Sequence, residues 1–417
     1  MRCGLLGKSL SHSLSPQIHK YLGDYEYRLI NVDEAGFDDF MRAREFDGLN
    51  VTIPYKKAVL PYCDELSAAA RETGSVNTIV NRGGRLFGDN TDIFGFGCQL
   101  DRAGADIAGK KVLVLGDGGV AQTVKYVLGK RGARQIITVS RRAGAGVTYD
   151  EMYADHADAD AIVNTTPVGM YPDNYRAVID IKRFGSCGFV ADMIYNPLRT
   201  RLLLEAAALG MRVSGGLSML AAQAFRAAEI FLDKPLPPSL PADILKELTA
   251  SQQNIVLIGM PGSGKSSVAA ELAALTGREV LNTDTLIEQA AAATIPDIFA
   301  AQGEPGFRRL ESEAVRAAAK QLGKIISVGG GAPLAPENRA ALAQNGVVVF
   351  LRRDIANLST DGRPLSKDTD TLLHMWAERL PVYEGMADVS VEITEGEVKG
   401  TAERVLSAVS AYDRQGD

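Results

Sequence analysis

Between an apolar run, Asn254–Ile258, and a helical stretch, 266–275, lies Gly259-Met260-Pro261-Gly262-Ser263-Gly264-Lys265-Ser266. This fits G-x-x-x-x-G-K-[ST], the P-loop pattern, in which bare backbone N–H groups close around nucleotide phosphates between a strand and a helix. A nucleoside triphosphate is the expected ligand, held by Gly262, Ser263, Gly264, Lys265, Ser266 and Ser267, and the motif alone leaves many kinases and NTPases open. Lys265 would neutralise the β/γ charge and the Ser266 hydroxyl would ligate Mg²⁺. A second glycine loop, Gly116-Asp117-Gly118-Gly119-Val120-Ala121, follows the apolar strand Lys111–Leu115 and opens a helix over 120–131. A glycine turn there lets helix N–H groups meet a pyrophosphate, the chemistry of a dinucleotide site. The next strand ends Val139-Ser140-Arg141-Arg142, with no acid for a ribose 2′-hydroxyl and two arginines suited to a 2′-phosphate. NADP(H) is therefore expected over NAD(H).

Further polar clusters precede the second loop. Ser11-His12-Ser13-Leu14-Ser15 sets alternating hydroxyls before a helix, where they can bind a polyol or carboxylate or cap the helix. Asn50-Val51-Thr52-Ile53-Pro54-Tyr55-Lys56, Val76-Asn77-Thr78 and Asp89-Asn90-Thr91-Asp92 add amides, hydroxyls, a lysine and a carboxylate. Taken singly, such a lysine is a surface charge and such an Asn-Thr-Asp cluster a turn.

The elements that must position these groups alternate strand and helix. Short strands are expected at 2–6, 26–31, 47–53 and 76–80, and a second series at 111–115, 135–139, 161–164 and 188–191. Strands separated by helical stretches such as 120–131 and 200–209 imply a mostly parallel, helix-covered sheet. Four prolines within Asp233–Pro241 read as a stiff connector, followed by a short helical pattern over Ala242–Gln253. The expected units are thus 1–98, a substrate-binding α/β domain to which 215–235 returns; 99–214, a Rossmann domain; 236–253, a linker; and 254–417, a P-loop domain.

At 417 residues, 46% hydrophobic and 23% charged, the chain is long enough for several cores and too apolar for wholesale disorder. The net charge of −6 argues against a nucleic-acid partner while leaving room for local anion pockets. No apolar run reaches the roughly 18 residues that a bilayer span requires, and the first residues lack a signal-peptide pattern. The four cysteines form no C-x-x-C pair, so reduced thiols in the cytoplasm are expected.

The N-terminal clusters, in this order before a G-x-G-G loop, resemble shikimate dehydrogenase. The resemblance continues through Asn164-Thr165-Thr166-Pro167, Ala191-Asp192-Met193-Ile194-Tyr195 and Gly216-Leu217-Ser218-Met219-Leu220-Ala221-Ala222-Gln223, and spans 1–235. It implies that Ser13 and Ser15 hold a substrate carboxylate and that Thr52, Asn77, Asp92 and Gln223 hold ring hydroxyls. Lys56 and Asp92 would be the catalytic pair. The cofactor would lie on Gly116, Gly118, Gly119, Val120, Ser140, Arg141 and Arg142, with Met193 and Gly216 near the nicotinamide. Such residue types suit ketone reduction, since a lysine beside an aspartate can stabilise a nascent alkoxide and relay its proton.

The C-terminal unit resembles shikimate kinase over 254–393. The resemblance rests on Leu281-Asn282-Thr283-Asp284, Gly303-Glu304-Pro305-Gly306-Phe307-Arg308, Val328-Gly329-Gly330-Gly331, Gly362-Arg363-Pro364-Leu365 and Glu378-Arg379-Leu380-Pro381. It implies a P-loop fold like that of nucleoside-monophosphate kinases. Shikimate would be bound by Asp284, Arg308, Arg379 and the Gly329, Gly330 and Gly331 backbone, with Glu311 holding Arg308. Arginine forks suit carboxylates, Asp284 can serve as base to the attacking hydroxyl, and Arg363 would reach the phosphoryl group from a lid. Two features depart from the family. Asn282 replaces an aspartate that helps hold Mg²⁺ through water, and Asp354–Gly362 is short, with Leu358-Ser359-Thr360 where an arginine would face adenine.

Together the two resemblances imply consecutive reactions, reduction of 3-dehydroshikimate and then phosphorylation of shikimate by ATP, at independent sites joined by a flexible linker, with oligomeric state open. One alternative is a quinate/shikimate-type dehydrogenase working oxidatively. Another, a non-catalytic metabolite sensor, predicts loss of Lys56, Asp92, Lys265 or Asp284, and all four are present.

Overall fold

The computed structural model describes residues 1–10, 13–354, 369–394 and 396–412. Ser11, His12, Arg363 and the Leu358-Ser359-Thr360 stretch lie outside the described residues.

Alternating runs of apolar and turn-forming sequence fold into three sheets. The first contains β1 (Arg2–Gly7), β2 (Glu26–Asn31), β3 (Gly48–Val51), β4 (Glu65–Leu66), β5 (Thr78–Arg82) and β6 (Arg85–Asp89), in the order β2-β1-β3-β5-β6-β4. β3 runs antiparallel to β5, so this sheet is mixed. The second contains β7 (Lys111–Leu115), β8 (Gln135–Val139), β9 (Ala161–Asn164), β10 (Phe189–Asp192) and β11 (Arg212–Ser214), in the order β11-β10-β9-β7-β8. The third contains β12 (Asn254–Ile258), β13 (Val280–Asn282), β14 (Ile325–Ser327), β15 (Gly346–Arg352) and β16 (Val389–Glu392), in the order β13-β14-β12-β15-β16.

The last two sheets are parallel throughout. Their central strands β7 and β12 are buried at every position, because helices cover both faces and an unbroken apolar run is the stable solution. In each sheet the first strand in the chain lies inside the sheet with later strands on both sides, β8 and β9 around β7, β14 and β15 around β12. That topological switch opens a crevice at the strand ends, and both glycine loops leave from it.

The helix Leu217–Leu232 returns to the first sheet, burying Ala227, Ile230 and Phe231 with Cys3 and Val80. The helical pattern expected after the proline-rich stretch is present and is packed. Leu240–Gln252 is a helix whose Ile244, Leu245 and Leu248 are buried with Ile18, Leu22, Leu217 and Phe225. Apolar residues at that spacing form one stripe, and burying it attaches the segment to the first unit.

The units built on the second and third sheets also meet directly, through loops of the former and the helix Pro336–Asn345 of the latter. Asn174 Nδ2 donates to Gln344 Oε1 at 2.5 Å, and Gln344 Nε2 returns a bond to the Asn174 carbonyl at 2.8 Å. Leu198 N donates to Asn345 Oδ1 at 2.9 Å, and Asn345 Nδ2 donates to the Tyr171 hydroxyl at 2.8 Å. Tyr175 packs on the core of the P-loop unit, with the Arg316 guanidinium over its ring. The expectation of two halves on a flexible tether is therefore corrected: buried amides must find partners, and here they find them across the junction. Gln344→Ala strands the buried Asn174 amide and is expected to destabilise the chain by about 1–3 kcal/mol, measured by chemical denaturation of the full-length protein.

Candidate active sites

The first site is a cavity of about 190 Å³ between the first and second sheets. β3 ends on the sheet face where period-two alternation places Asn50 and Thr52 together, and both line the cavity. Asp92 opens the helix Asp92–Arg102. Its Oδ2 accepts from Lys56 Nζ at 2.6 Å and its Oδ1 accepts from Asn77 Nδ2 at 2.8 Å. The pair is shielded, with the Lys56 and Asp92 side chains 17% and 8% exposed. Asn77 is held in turn, its Oδ1 accepting from Thr91 N at 2.7 Å and Thr78 Oγ1 at 3.1 Å. Gln223 reaches the same place from the helix Leu217–Leu232, its Oε1 3.5 Å from Asn77 Nδ2. Ser13 Oγ donates to Ser15 Oγ at 3.1 Å at the cavity's edge.

Val120, Met193 and Gly216 line the opposite wall, so the cavity joins the polar cluster to the second sheet's glycine loop. A Cβ at Gly116 would stand 2.8 Å from Thr165 Oγ1, so this glycine is required by the strand beneath it. Among the described residues, a Cβ at Gly118 or Gly119 would touch nothing within 4 Å. Those two are bare for no internal reason, and they form the start of the helix Gly119–Lys130, a cradle that fits a pyrophosphate. The loop 193–200 is strapped by Asp192, a buried carboxylate accepting from Asn164 Nδ2 at 3.0 Å, Ile194 N at 3.0 Å and Thr200 Oγ1 at 2.8 Å. Burial pushes this carboxyl up to about 7.

Asn50, Tyr195 and Met219 line the first cavity without having been assigned to it from sequence. Asn50 was legible from its two-residue spacing to Thr52. Tyr195 and Met219 depend on how the second sheet faces the first.

The second site is a cavity of about 640 Å³ at the head of the third sheet. Gly262, Gly264, Lys265, Ser266 and Ser267 line it, together with Asn282, Asp284, Arg308, Glu311, Gly329, Gly330, Gly331 and Arg379. Ser263 is fully buried behind the loop. Gly262 and Gly264 have φ of 82° and 95°, a left-handed backbone that only glycine adopts at low cost. Lys265 Nζ donates to the carbonyls of Gly259 and Met260 at 2.9 Å each. The helix Lys265–Thr276 begins at the lysine, so the loop's N–H groups and the helix N-terminus face one place.

Arg308 Nη1 is held by Glu311 Oε2 at 2.8 Å. Burial raises the Glu311 carboxyl above its ordinary value, a shift opposed by Arg308. Arg379 is buried, and among the described residues its Nε has no hydrogen-bond partner, an orphaned cationic donor of the kind a ligand anion satisfies. A Cβ at Gly329 would lie 2.9 Å from Glu311 Oε1 and 3.0 Å from Asp284 Oδ1, which explains the bare backbone there. Asn282 caps the helix Thr283–Ala291, its Oδ1 accepting from Asp284 N at 2.9 Å while its Nδ2 lies 3.4 Å from Ser266 Oγ. The Asn282 amide and the Ser266 hydroxyl thus stand side by side at the start of the P-loop helix. Phe299, Phe307 and Met375 supply apolar wall that sequence motifs did not single out.

Among the described residues no helix is long and apolar enough to cross a membrane.

Comparison with known proteins finds relatives of both halves. Residues 5–79 match the family model for the shikimate dehydrogenase substrate binding domain, and residues 261–410 match that for shikimate kinase. The chain is 35% identical over 269 residues to the shikimate dehydrogenase (NADP(+)) of Caldicellulosiruptor bescii, spanning 58% of this chain and 93% of that protein. It is 36% identical over 263 residues to that of Symbiobacterium thermophilum, spanning 56% and 90%. Among solved structures, shikimate 5-dehydrogenase from Thermus thermophilus, in complex with NADP(H) and shikimate, superposes with a TM-score of 0.54 at 30% identity, covering 59% of this chain and 99% of that one. Quinate dehydrogenase from Corynebacterium glutamicum, in complex with NAD, superposes with the same TM-score at 30% identity, covering 59% and 97%. The chain therefore belongs to the shikimate dehydrogenase family and carries a shikimate kinase domain behind it, two enzymes of the shikimate pathway in one polypeptide.

Proposed function

We propose that the protein reduces 3-dehydroshikimate to shikimate with NADPH and then phosphorylates shikimate at its 3-hydroxyl with ATP and Mg²⁺. The observation that carries the first half is the convergence of Lys56, Asn77, Asp92 and Gln223 on one shielded cavity that also touches the glycine-loop wall.

NADPH supplies the hydride when bound. Ser13 and Ser15 take the substrate carboxylate and Thr52, Asn77, Asp92 and Gln223 the ring oxygens. As the ketone becomes an alkoxide, the Lys56 ammonium stabilises the developing charge and delivers a proton, while Asp92 keeps the lysine protonated and aimed. Met193 and Gly216 form the wall that holds the nicotinamide against the substrate.

In the second site Arg308 and Arg379 clamp the shikimate carboxylate, with Glu311 fixing Arg308. Asp284 accepts the proton of the attacking hydroxyl. Lys265 exchanges its loop carbonyls for phosphate oxygens and neutralises charge on the transferring group. Ser266 and Asn282 would hold Mg²⁺, which would neutralise phosphate charge when bound, and Arg363 would act in the same transfer step.

A two-stage assay tests the reading. Purified protein with 3-dehydroshikimate and NADPH should consume NADPH, and subsequent Mg-ATP should yield shikimate 3-phosphate. NADPH loss without the phosphorylated product would reject the kinase half.

The position of Asn282 yields a sharper prediction. Asp and Asn cap helices about equally well, so Asn282→Asp keeps the fold while adding a negative charge beside Ser266. The Mg²⁺ concentration for half-maximal kinase activity should fall about threefold to tenfold, read from Mg²⁺ titration at saturating ATP.

A further inference from the structure

The sequence places no acid at the end of β8, where a Rossmann domain reads the adenosine ribose, and assigns Ser140, Arg141 and Arg142 to a 2′-phosphate. The structure brings an acid there from another element. Asp117, within the glycine loop, directs Oδ2 at that cluster. This one oxygen accepts from Ser140 Oγ at 3.1 Å, from Arg142 Nε at 2.6 Å, and lies 2.5 Å from Arg142 Nη2. Ser140 Oγ also accepts from Arg142 N at 2.9 Å, so hydroxyl, guanidinium and carboxylate form a closed set. The Asp117 side chain is 20% exposed and that of Arg142 is 72% exposed.

We propose that the Asp117 carboxylate competes with the cofactor's 2′-phosphate for Ser140 and Arg142 and thereby sets the NADPH-over-NADH selectivity of the dehydrogenase. The inference rests on the reading above that these residues face the 2′-phosphate. Two of the three groups assigned to that phosphate already serve an internal anion, which leaves the outward guanidinium edge and Arg141. Formal charge falls from +2 for the arginines to +1 with the aspartate included. A dianionic phosphate entering beside a carboxylate on the same guanidinium meets like-charge repulsion, while a ribose hydroxyl meets an acceptor. The loop position explains why sequence pattern did not reveal this: the usual acid is sought at the end of the second strand, and Asp117 arrives from the end of the first.

Equilibrium binding of NADPH and NADH to the full-length protein, followed by nicotinamide fluorescence, and steady-state kinetics with each at fixed 3-dehydroshikimate test the proposal. Asp117→Asn keeps the shape and removes the charge. It should lower the NADPH Kd and raise kcat/KM for NADPH about threefold to tenfold, chiefly through KM, while NADH stays level or weakens by about twofold, since NADH has no 2′-phosphate and loses a charged acceptor for its ribose hydroxyl. Asp117→Ala should move the selectivity ratio in the same direction. In an Arg142→Gln background the gain from Asp117→Asn should shrink, because the contested donor is gone. A ratio that stays constant or falls overturns the proposal, as does a parallel loss with both cofactors, which would mark Asp117 as a brace of the loop alone. If the unaltered protein turns over neither cofactor, the dehydrogenase reading fails and the proposal with it.

Discussion

Lys56→Ala is expected to lower kcat for reduction of 3-dehydroshikimate by about 10²–10⁴-fold, the usual worth of a positioned proton donor. The fall should lie mainly in kcat, because the alkoxide charge that Lys56 meets exists only on the way to the transition state. Removing the ammonium also strands Asp92, whose Oδ2 accepts from Lys56 Nζ at 2.6 Å. Asn77 still donates to Oδ1 at 2.8 Å, so the ring-binding geometry persists and the substrate KM should change little. Phosphorylation of added shikimate by the same variant should be unchanged. A Lys56→Ala protein that reduces 3-dehydroshikimate at the native rate would remove Lys56 from the mechanism.

The mirror-image result is expected at the P-loop. Lys265→Ala should reduce shikimate phosphorylation by about 10²–10³-fold or more, since one preorganised cationic donor to the transferring group is lost. Lys265 now donates to the Gly259 and Met260 carbonyls at 2.9 Å, so it also helps hold the loop in shape. Lys265→Arg separates the two effects: a structural role tolerates the longer cation, whereas phosphoryl transfer requires the ammonium in its place. NADPH oxidation by Lys265→Ala should proceed at the native rate. If either alanine variant silenced both reactions, the two cavities would not be independent sites.

Independence of chemistry does not require loose attachment. Asn174, Gln344 and Asn345 are buried at the junction of the two halves, where Asn174 and Gln344 satisfy each other's amides and Asn345 bonds Leu198 N and the Tyr171 hydroxyl. The helix Leu240–Gln252 buries one face in the first unit, and the carbonyl of its Gln252 accepts from Gly323 N in the second at 2.9 Å. The junction thus fixes orientation while leaving each set of reacting groups within its own crevice.

Much of this was determined locally. The P-loop, both glycine-rich turns and the unbroken apolar strands follow from short-range demands: positive φ, bare backbone beside phosphate, burial on two faces. Those demands leave marks at fixed spacing, so Lys265, Ser266, Gly118 and Gly119 could be read without coordinates. Lys56, Asn77 and Asp92 could be named only through family resemblance, and their pairing distances came from packing one helix against a sheet. Three things were decided by tertiary structure alone. Asp117 enters the Ser140–Arg142 cluster because adjacent parallel strands bring the ends of β7 and β8 together. Tyr195 and Met219 join the first cavity because the second sheet faces the first. The helix Leu240–Gln252 packs onto the first unit because its stripe of Ile244, Leu245 and Leu248 finds an apolar partner there that composition along the chain does not reveal.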